Sequence, residues 1–440
     1  MSLTIIRNAR VVSPKVPQGH SAPLRGSAMS ELEVTPLADV TIESGLIKKI
    51  LPVAAPGKRR PPVPTATAII EAAGRVLLPG FVDCHTHACW AGDRYDEWDM
   101  KRRGVPYLEI LKRGGGIMST VRAVREATEE QLVELLLQRL WVMLRCGTTT
   151  VEVKSGYGLS TADELKMLRA IARAAAQWPG TVRPTALLGH AIDDQQPGFV
   201  GITVRQTLPA IAQEFLPGSG LAVDAFCEQS AWSLDQCILL LSRAKEMGYP
   251  IRVHADQFNS LGMVPAAIRL GARTVDHLEV TTKEDIAALG ESTTVGVYLP
   301  MSPLHLSTPQ GKPRQLIAAG GAVAVASNFN PGSGPSPSIP LTIAMAVRHL
   351  QLSHAEAITA TTHNAAAVLD LPDRGSIAPG RRADLVLMRH RDERAIAFEL
   401  GEPGVDAVFV AGSMVYEQSG PAAGGPAAGG QKLTDTPTVN

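Results

Sequence analysis

The sequence predicts an α/β protein: a (β/α)8 barrel carrying a small β-sandwich-like domain formed from both termini. Three observations lead there. Between residues 80 and 330, eight strand-like segments alternate with amphipathic helix-like ones, the rhythm of a closed parallel sheet ringed by helices. Residues 1–79 break that rhythm, with strands set between Pro-, Gly- and Ser-rich loops. Residues 379–417 read as strand again, so the two ends are expected to pair beside the barrel.

Taken in order, Leu3–Val12 and Val40–Ile50 read as strands on either side of the loop-forming segment Ser13 to Pro36. A second loop, Pro52 to Pro64, carries Lys58-Arg59-Arg60, a run too short and too poor in aromatic residues to be more than solvated surface. The barrel is expected over 80–378. Its strands read Gly80–His87, Thr148–Lys154, Thr181–His190, Ala222–Glu228, Ile251–Gln257, Arg273–Leu278, Thr293–Pro300 and Ala322–Asn328. Four helix starts carry the capping-box form, Thr128-x-x-Gln131, Thr161-x-x-Glu164, Ser233-x-x-Gln236 and Thr281-x-x-Glu284. Leu132 to Leu144 is apolar at helical spacing and stops at Gly147, a suitable C-terminal cap. Arg382–Met388 and Val405–Val410 supply strands to the second part of the terminal domain, 379–417. Residues 418–440 are Gly, Ala, Pro and polar residues, and a disordered tail is expected there.

Composition excludes several function classes. With 440 residues and 45% hydrophobic composition, the chain has enough for a sizeable core. Forty-two basic and forty-two acidic residues cancel, which leaves no excess charge to hold nucleic acid or an anionic membrane. No apolar run approaches a membrane span, and the first apolar stretch is interrupted too soon for a signal peptide. Five cysteines, without a Cys-x-x-Cys pair, fit reduced thiols in a cytoplasm.

Chemistry gathers at the C-terminal ends of the barrel strands, where sites of this fold lie. If Val76 to Val82 form a buried strand ending in His85-Thr86-His87, alternation turns His85 and His87 to one side and Cys84 to the other. His190 ends the third strand, Glu228 the fourth, His254-Ala255-Asp256-Gln257 the fifth, Asp276-His277 the sixth and Ser327-Asn328 the eighth. Thus five of eleven histidines lie where they can converge, while His20, His305, His349, His354, His363 and His390 fall in loops or helices. Imidazoles with an open coordination position suit zinc or iron better than magnesium or calcium. Such an ion lowers the pKa of coordinated water to roughly 7 and polarises a carbonyl, as hydrolysis of an amide-like bond requires. His277 would lie close enough to stabilise developing negative charge or move a proton.

In these motifs the chain resembles the amidohydrolase superfamily and, within it, the imidazolonepropionase family of histidine degradation. The likeness rests on His85-x-His87, Gly92-Asp93-Arg94, Gly114-Gly115-Gly116-Ile117, Lys154-Ser155-Gly156-Tyr157-Gly158-Leu159, His254-Ala255-Asp256-Gln257 and Asn328-Phe329-Asn330-Pro331-Gly332-Ser333, in order over about 250 residues. Leu3–Arg10 and Gly380–Asp384 extend it to both ends. The resemblance implies one divalent or trivalent metal ion, zinc or iron, held by His85, His87 and His254 with Asn328 as fourth ligand. It implies substrate contacts from Arg94, Tyr157, His190, Gln257, Asn330, Gly332 and Ser333, and catalytic roles for His277, Gln257 and Asn328. The implied reaction opens the ring of 4-imidazolone-5-propanoate, a carboxylated small molecule, to N-formimidoyl-L-glutamate, in a homodimer.

Asn328 departs from the family pattern, which has aspartate there. An amide oxygen lends a lone pair but brings neither charge nor useful basicity. Two alternatives therefore stay open at this level. One is another cyclic amide or amidine amidohydrolase, or a deaminase; the other is a catalytically impaired homologue that binds a small carboxylated heterocycle. Some relatives bridge two metals with a modified lysine or a glutamate on strand four; Glu228 is in about that place, whereas Lys154 is on strand two, and a two-metal site is not expected with Asn328 neutral.

Overall fold

The computed structural model describes residues 3–53, 68–105, 109–110, 113–229 and 231–418. The basic run at 58–60 and the expected tail beyond Gln418 lie outside the described residues.

Among the described residues five strands come first: β1 (Leu3–Pro14), β2 (Leu32–Glu43), β3 (Leu46–Pro52), β4 (Ala68–Glu71) and β5 (Val76–Pro79). Eight barrel strands follow: β6 (Phe81–Asp83), β7 (Thr148–Lys154), β8 (Thr181–Gly189), β9 (Ala222–Cys227), β10 (Arg252–Ala255), β11 (Thr274–His277), β12 (Val295–Tyr298) and β13 (Val323–Val325). The last three are β14 (Leu385–Met388), β15 (Val405–Val410) and β16 (Ser413–Glu417).

Strands β6 to β13 pair in chain order, each parallel to the next. The ring closes just past the strand ends, where Thr86 bridges Phe329 in parallel and the Asn328 N–H donates to the His85 carbonyl at 3.1 Å. Helices pack their apolar faces onto the outside, as Leu132, Leu136, Leu140 and Met143 of the 129–145 helix do. All eight expected strands are present in order.

The terminal strands form one mixed sheet in the order β16-β15-β14-β5-β1-β2-β3, with β4 on β1. It curls until the β2–β3 hairpin meets residues 381–383, where the Ile47 and Ala383 N–H groups donate to the Arg381 and Gly45 carbonyls. Ile6, Val40, Ile42, Leu77, Leu385 and Phe409 fill the core it encloses.

Three local expectations change. Val40–Ile50 is a hairpin rather than one strand, because Ser44 and Gly45, with φ of 52° and 82°, make the two-residue turn that matches strand twist. Val76–Val82 is two strands: the Gly80 N–H donates to the Asp384 carbonyl, which leaves β5 in the terminal sheet and starts β6 in the barrel. Two of the four capping boxes shift by one residue. Thr128 and Ser233 cap as expected, but Ser160 and Thr282 replace Thr161 and Thr281. Glu164 is thereby released to accept the N–H groups of Gly156, Gly158 and Leu159.

Candidate active site

Beneath the strand ends lies a layer of fully buried ions. The Lys154 ammonium donates to Glu152 and Asp224, each at 2.8 Å, and the Arg252 guanidinium donates to Asp276 at 2.8 Å and lies 3.7 Å from Glu152. Glu152 also accepts the Thr86 N–H at 2.9 Å, tying the layer to the strand-one motif. Burial works against the charge on Arg252, but Asp276 and Glu152 outweigh it. Burial likewise opposes the charge on Asp276, and Arg252 and Lys154 overcome it, holding the carboxyl below its ordinary range. Burial pushes Asp224 up, against the pull of Lys154.

This layer orients His85 and His254 above it, and Glu279 orients His277. His85 Nδ1 lies 2.6 Å from Asp276, His254 Nδ1 3.1 Å from Asp224, and His277 Nδ1 3.1 Å from Glu279. A carboxylate accepts, so each ring donates through Nδ1 and keeps a lone pair on Nε2. Burial, then the positive charge of Lys154, holds His85 and His254 well below the usual imidazole range. His87 is lowered too, by burial and by His190. The rings converge. Centroids are 4.6 Å apart for His85–His254, 5.4 Å for His85–His87 and His87–His254, and 5.5 Å for His254–His277.

Ligand nitrogens of His85, His254 and His277 lie within 4.8 Å of one another, a group able to hold a metal ion. His87 adjoins it, with Nε2 3.4 Å from His254 Nε2. The buried His85 Nε2 and Asn328 Oδ1 have no hydrogen-bond partner among the described residues. Unprotonated nitrogens that face each other, backed by carboxylates, are what a metal with oriented imidazole ligands needs, so these residues fit one. The geometric group differs from the expected ligand set in drawing in His277 and in leaving out His87, which stands beside it. Strict strand alternation ends at Asp276, because His277 takes φ of 87°, so both neighbours reach the histidine cluster.

His190 stacks on His87 at 5.1 Å, and its Nδ1–H donates to the Gly156 carbonyl at 2.9 Å, which fixes the tautomer. Burial pushes its pKa down to about 4. Tyr157 lies 5.0 Å from the His190 ring, and burial raises its phenol well above the usual value. Gln257 donates to Ser302 Oγ at 3.4 Å. Asn330 is committed to its own loop: it accepts the Gly332 and Ser333 N–H groups at 2.8 and 2.7 Å and donates to the Asn328 carbonyl at 2.6 Å. Glu228 accepts from Phe258, Asn259 and Gln229, joining the loops after β9 and β10, and Lys154 is spent in the ion layer.

Sequence reasoning missed Glu97. Arg94 donates Nε and Nη2 to it at 2.7 Å each, Lys101 lies 2.7 Å away, and the Gly116 N–H donates to it at 2.8 Å. Arg94 Nη1 has no partner among the described residues. It lies against Gly332, where a Cβ would come to 2.8 Å from it, so a larger residue there would push the guanidinium aside. Thus Arg94 faces the last barrel loop with one donor edge free. The signal in the sequence was the i, i+3 spacing of Arg94 and Glu97 at the start of a helix.

Burial alone raises the Glu97 pKa, but Arg94 and Lys101 outweigh it and hold the carboxyl at about 2. A depressed pKa gives stability that is present above the ordinary value near 4.5 and is lost as pH falls towards 2. Melting temperature should therefore fall less steeply from pH 4.5 to 2.5 in Glu97→Gln than in the wild type. Parallel slopes would show that Glu97 carries no such linkage.

The Amidohydrolase family profile matches residues 76–415. Imidazolonepropionase of Herpetosiphon aurantiacus is 43% identical over 407 residues, covering 90% of this chain and 94% of that protein. That of Deinococcus radiodurans is 41% identical over 393 residues, covering 89% and 96%. Two solved structures share the fold: Escherichia coli guanine deaminase, at TM-score 0.69 and 17% identity over 95% of this chain and 100% of that one, and N-isopropylammelide isopropylaminohydrolase of Burkholderia multivorans, at 0.68 and 19% over 95% and 99%. No helix among the described residues is long and apolar enough to cross a membrane. With its barrel, its converging histidines and relatives of this identity along nine-tenths of its length, the chain belongs to the amidohydrolase family and, within it, to the imidazolonepropionases.

Proposed function

We propose that the chain hydrolyses the cyclic amide of 4-imidazolone-5-propanoate to N-formimidoyl-L-glutamate, a step of histidine degradation. The observation that carries this reading is the likeness to imidazolonepropionases over about nine-tenths of the chain. The site chemistry agrees with it. The propionate carboxylate meets the free Nη1 edge of Arg94 beside Gly332, a charge-assisted contact. Tyr157 stays a neutral phenol and His190 a neutral imidazole with Nε2 open, so the first donates to the ring or the propionate and the second accepts from a ring N–H. Gln257 orients the ring, and Ser333 closes the opposite side on the loop that Asn330 holds.

One divalent or trivalent ion, zinc or iron, would be held by His85, His87 and His254, with Asn328 Oδ1 lending its lone pair. When bound, the ion polarises the ring carbonyl and acidifies water near neutral pH. Asn328 cannot take the proton from the attacking water. His277, steadied by Glu279, is the group that receives it or stabilises the developing charge. The five free cysteines fit a cytoplasmic setting, and a homodimer is part of the same proposal.

Turnover of freshly generated 4-imidazolone-5-propanoate by metal-replete protein, with no ammonia released, tests the reading. Ammonia would indicate a deaminase instead. Arg94→Gln should raise KM by about 10- to 100-fold, with kcat much less affected, because it removes a charged hydrogen bond made before and during the reaction. An unchanged KM would remove Arg94 from substrate binding. Asn328 favours a second reading, a chain that binds this ligand without turning it over. Binding without product at full metal loading is its signature.

A further inference from the structure

The opposite end of the barrel carries a cationic cavity that the ring-opening reaction does not use. It lies by the N-terminal ends of β8 to β11. Arg183 is the third residue of β8, while Leu221, Pro250 and Arg273 stand just before β9, β10 and β11 or one residue further ahead. The cavity has a volume of about 470 Å³ and is lined by Arg183, Lys245, Arg273, Tyr249 and Asp370, with the 218–221 and 248–250 turns.

Its charges are poorly matched. Arg183 makes no hydrogen bond or ion pair among the described residues, and its Nε is buried without a partner. The guanidinium lies against Gly220, where a Cβ would come to 2.2 Å from Nη1, so the backbone makes room for the cation at a φ of 91°. Among the described residues Arg273 pairs only with Asp370, at 3.8 Å, and that carboxylate is 76% exposed. Lys245 donates to the Leu270 carbonyl at 2.6 Å, which satisfies one N–H, and makes no ion pair among the described residues. Neighbouring charges do not fill the gap. Arg374 is held by Asp373 and Asp384, and Arg252, beneath Arg273, by Asp276. Burial lowers the pKa of Arg183 and Arg374 lowers it further, outweighing Asp370 and Asp373; burial lowers that of Arg273 against the pull of Asp370, with Arg252 and Arg183 adding to the fall. A folded chain seldom keeps two partly buried guanidiniums together with so little compensation, because each desolvated cation without a partner costs stability.

We infer that Arg183, Arg273 and Lys245 form a binding site for a small dianionic oxyanion, a phosphate or a dicarboxylate, at the barrel end remote from the histidines. Three cations against one exposed carboxylate leave a surplus of two charges, the match for a dianion. The guanidinium edges offer the paired donors that phosphate and carboxylate oxygens take. The volume admits a small organic dianion as readily as an inorganic one. This site stands independently of the proposed catalytic reading.

The test is calorimetric titration of the metal-loaded full chain with inorganic phosphate and, separately, with glutarate, at constant ionic strength. The expected result is saturable binding of one anion per chain with Kd of about 1 mM or tighter. Arg183→Gln and Arg273→Gln should each weaken it by about tenfold or more, while Arg94→Gln, at the other end of the barrel, leaves it unchanged. Saturation by phosphate alone identifies a phosphate-bearing ligand, and by glutarate alone a dicarboxylate; either supports the site. A thermal melt guards against misfolding. Without anion, Arg183→Gln should melt at or above the wild type, since a repelling cation is gone, whereas added anion should raise only the wild-type melting temperature. The inference is overturned if neither anion saturates, if both arginine variants bind as the wild type does, or if binding vanishes with Arg94→Gln.

Discussion

Asn328→Asp is expected to tighten metal binding by about 10- to 100-fold and to raise turnover with it. The amide is well placed to be replaced. It is 1% exposed, its backbone N–H is fixed to the His85 carbonyl, and its Oδ1 has no partner among the described residues. An aspartate of the same shape adds the charge that neutral histidines lack and a base for the attacking water. The same charge is costly when the metal is removed, because it would be buried beside uncharged rings. Chelation should therefore lower the melting temperature of the Asp variant more than that of the wild type. Competition with a chromophoric chelator measures the affinity directly. Equal affinities in the two proteins would show that the fourth position does not touch the metal.

Asp276→Asn is expected to destabilise the fold by about 3–5 kcal/mol and to loosen the metal by a further order of magnitude or more. Asp276 is fully buried and serves two groups at once, accepting from Arg252 at 2.8 Å and lying 2.6 Å from His85 Nδ1. An asparagine keeps the volume and one acceptor but leaves the Arg252 charge without its nearest compensation in a dry layer. It also offers His85 a weaker acceptor, so the contact that fixes the tautomer of the ring is weakened. Urea unfolding gives the first effect and chelator competition on the folded fraction gives the second. A stability loss below about 1 kcal/mol would mean that Glu152, 3.7 Å from Arg252, suffices alone.

The barrel was legible because its signal is periodic. Each strand is a short apolar run followed by an amphipathic helix, and β7 and β15 fall where the sequence places them to the residue. Histidines at strand ends were legible for the same reason, since the fold dictates where such ends meet. What escaped was set by contacts between distant segments. Glu152, Asp224, Arg252 and Asp276 are charged residues inside β-strands, and only the closed ring makes them partners of one another. The capping shifts at Ser160 and Thr282 turn on which of two adjacent hydroxyl residues, or of Ser and Thr, leaves the helix, a choice that local pattern does not make. The free edge of Arg94 and the cavity around Arg183 depend on where a guanidinium has no neighbour, and sequence does not record that.

Gly80 joins two sheets that mature at different times. Strand β5, just before it, has β1 on one edge and on the other β14, with Pro79 opposite Leu385. At 5–20 residues per second, the ribosome needs roughly 15–60 s to travel from one to the other. All eight barrel strands emerge in that interval, and the barrel can close through Thr86 and Phe329 while the outer edge of β5 still has unpaired N–H and C=O groups. An open apolar edge on a nascent chain is a template for intermolecular pairing. The last three strands thus act as a late cover, and the yield of folded protein is set by how soon they arrive after β5.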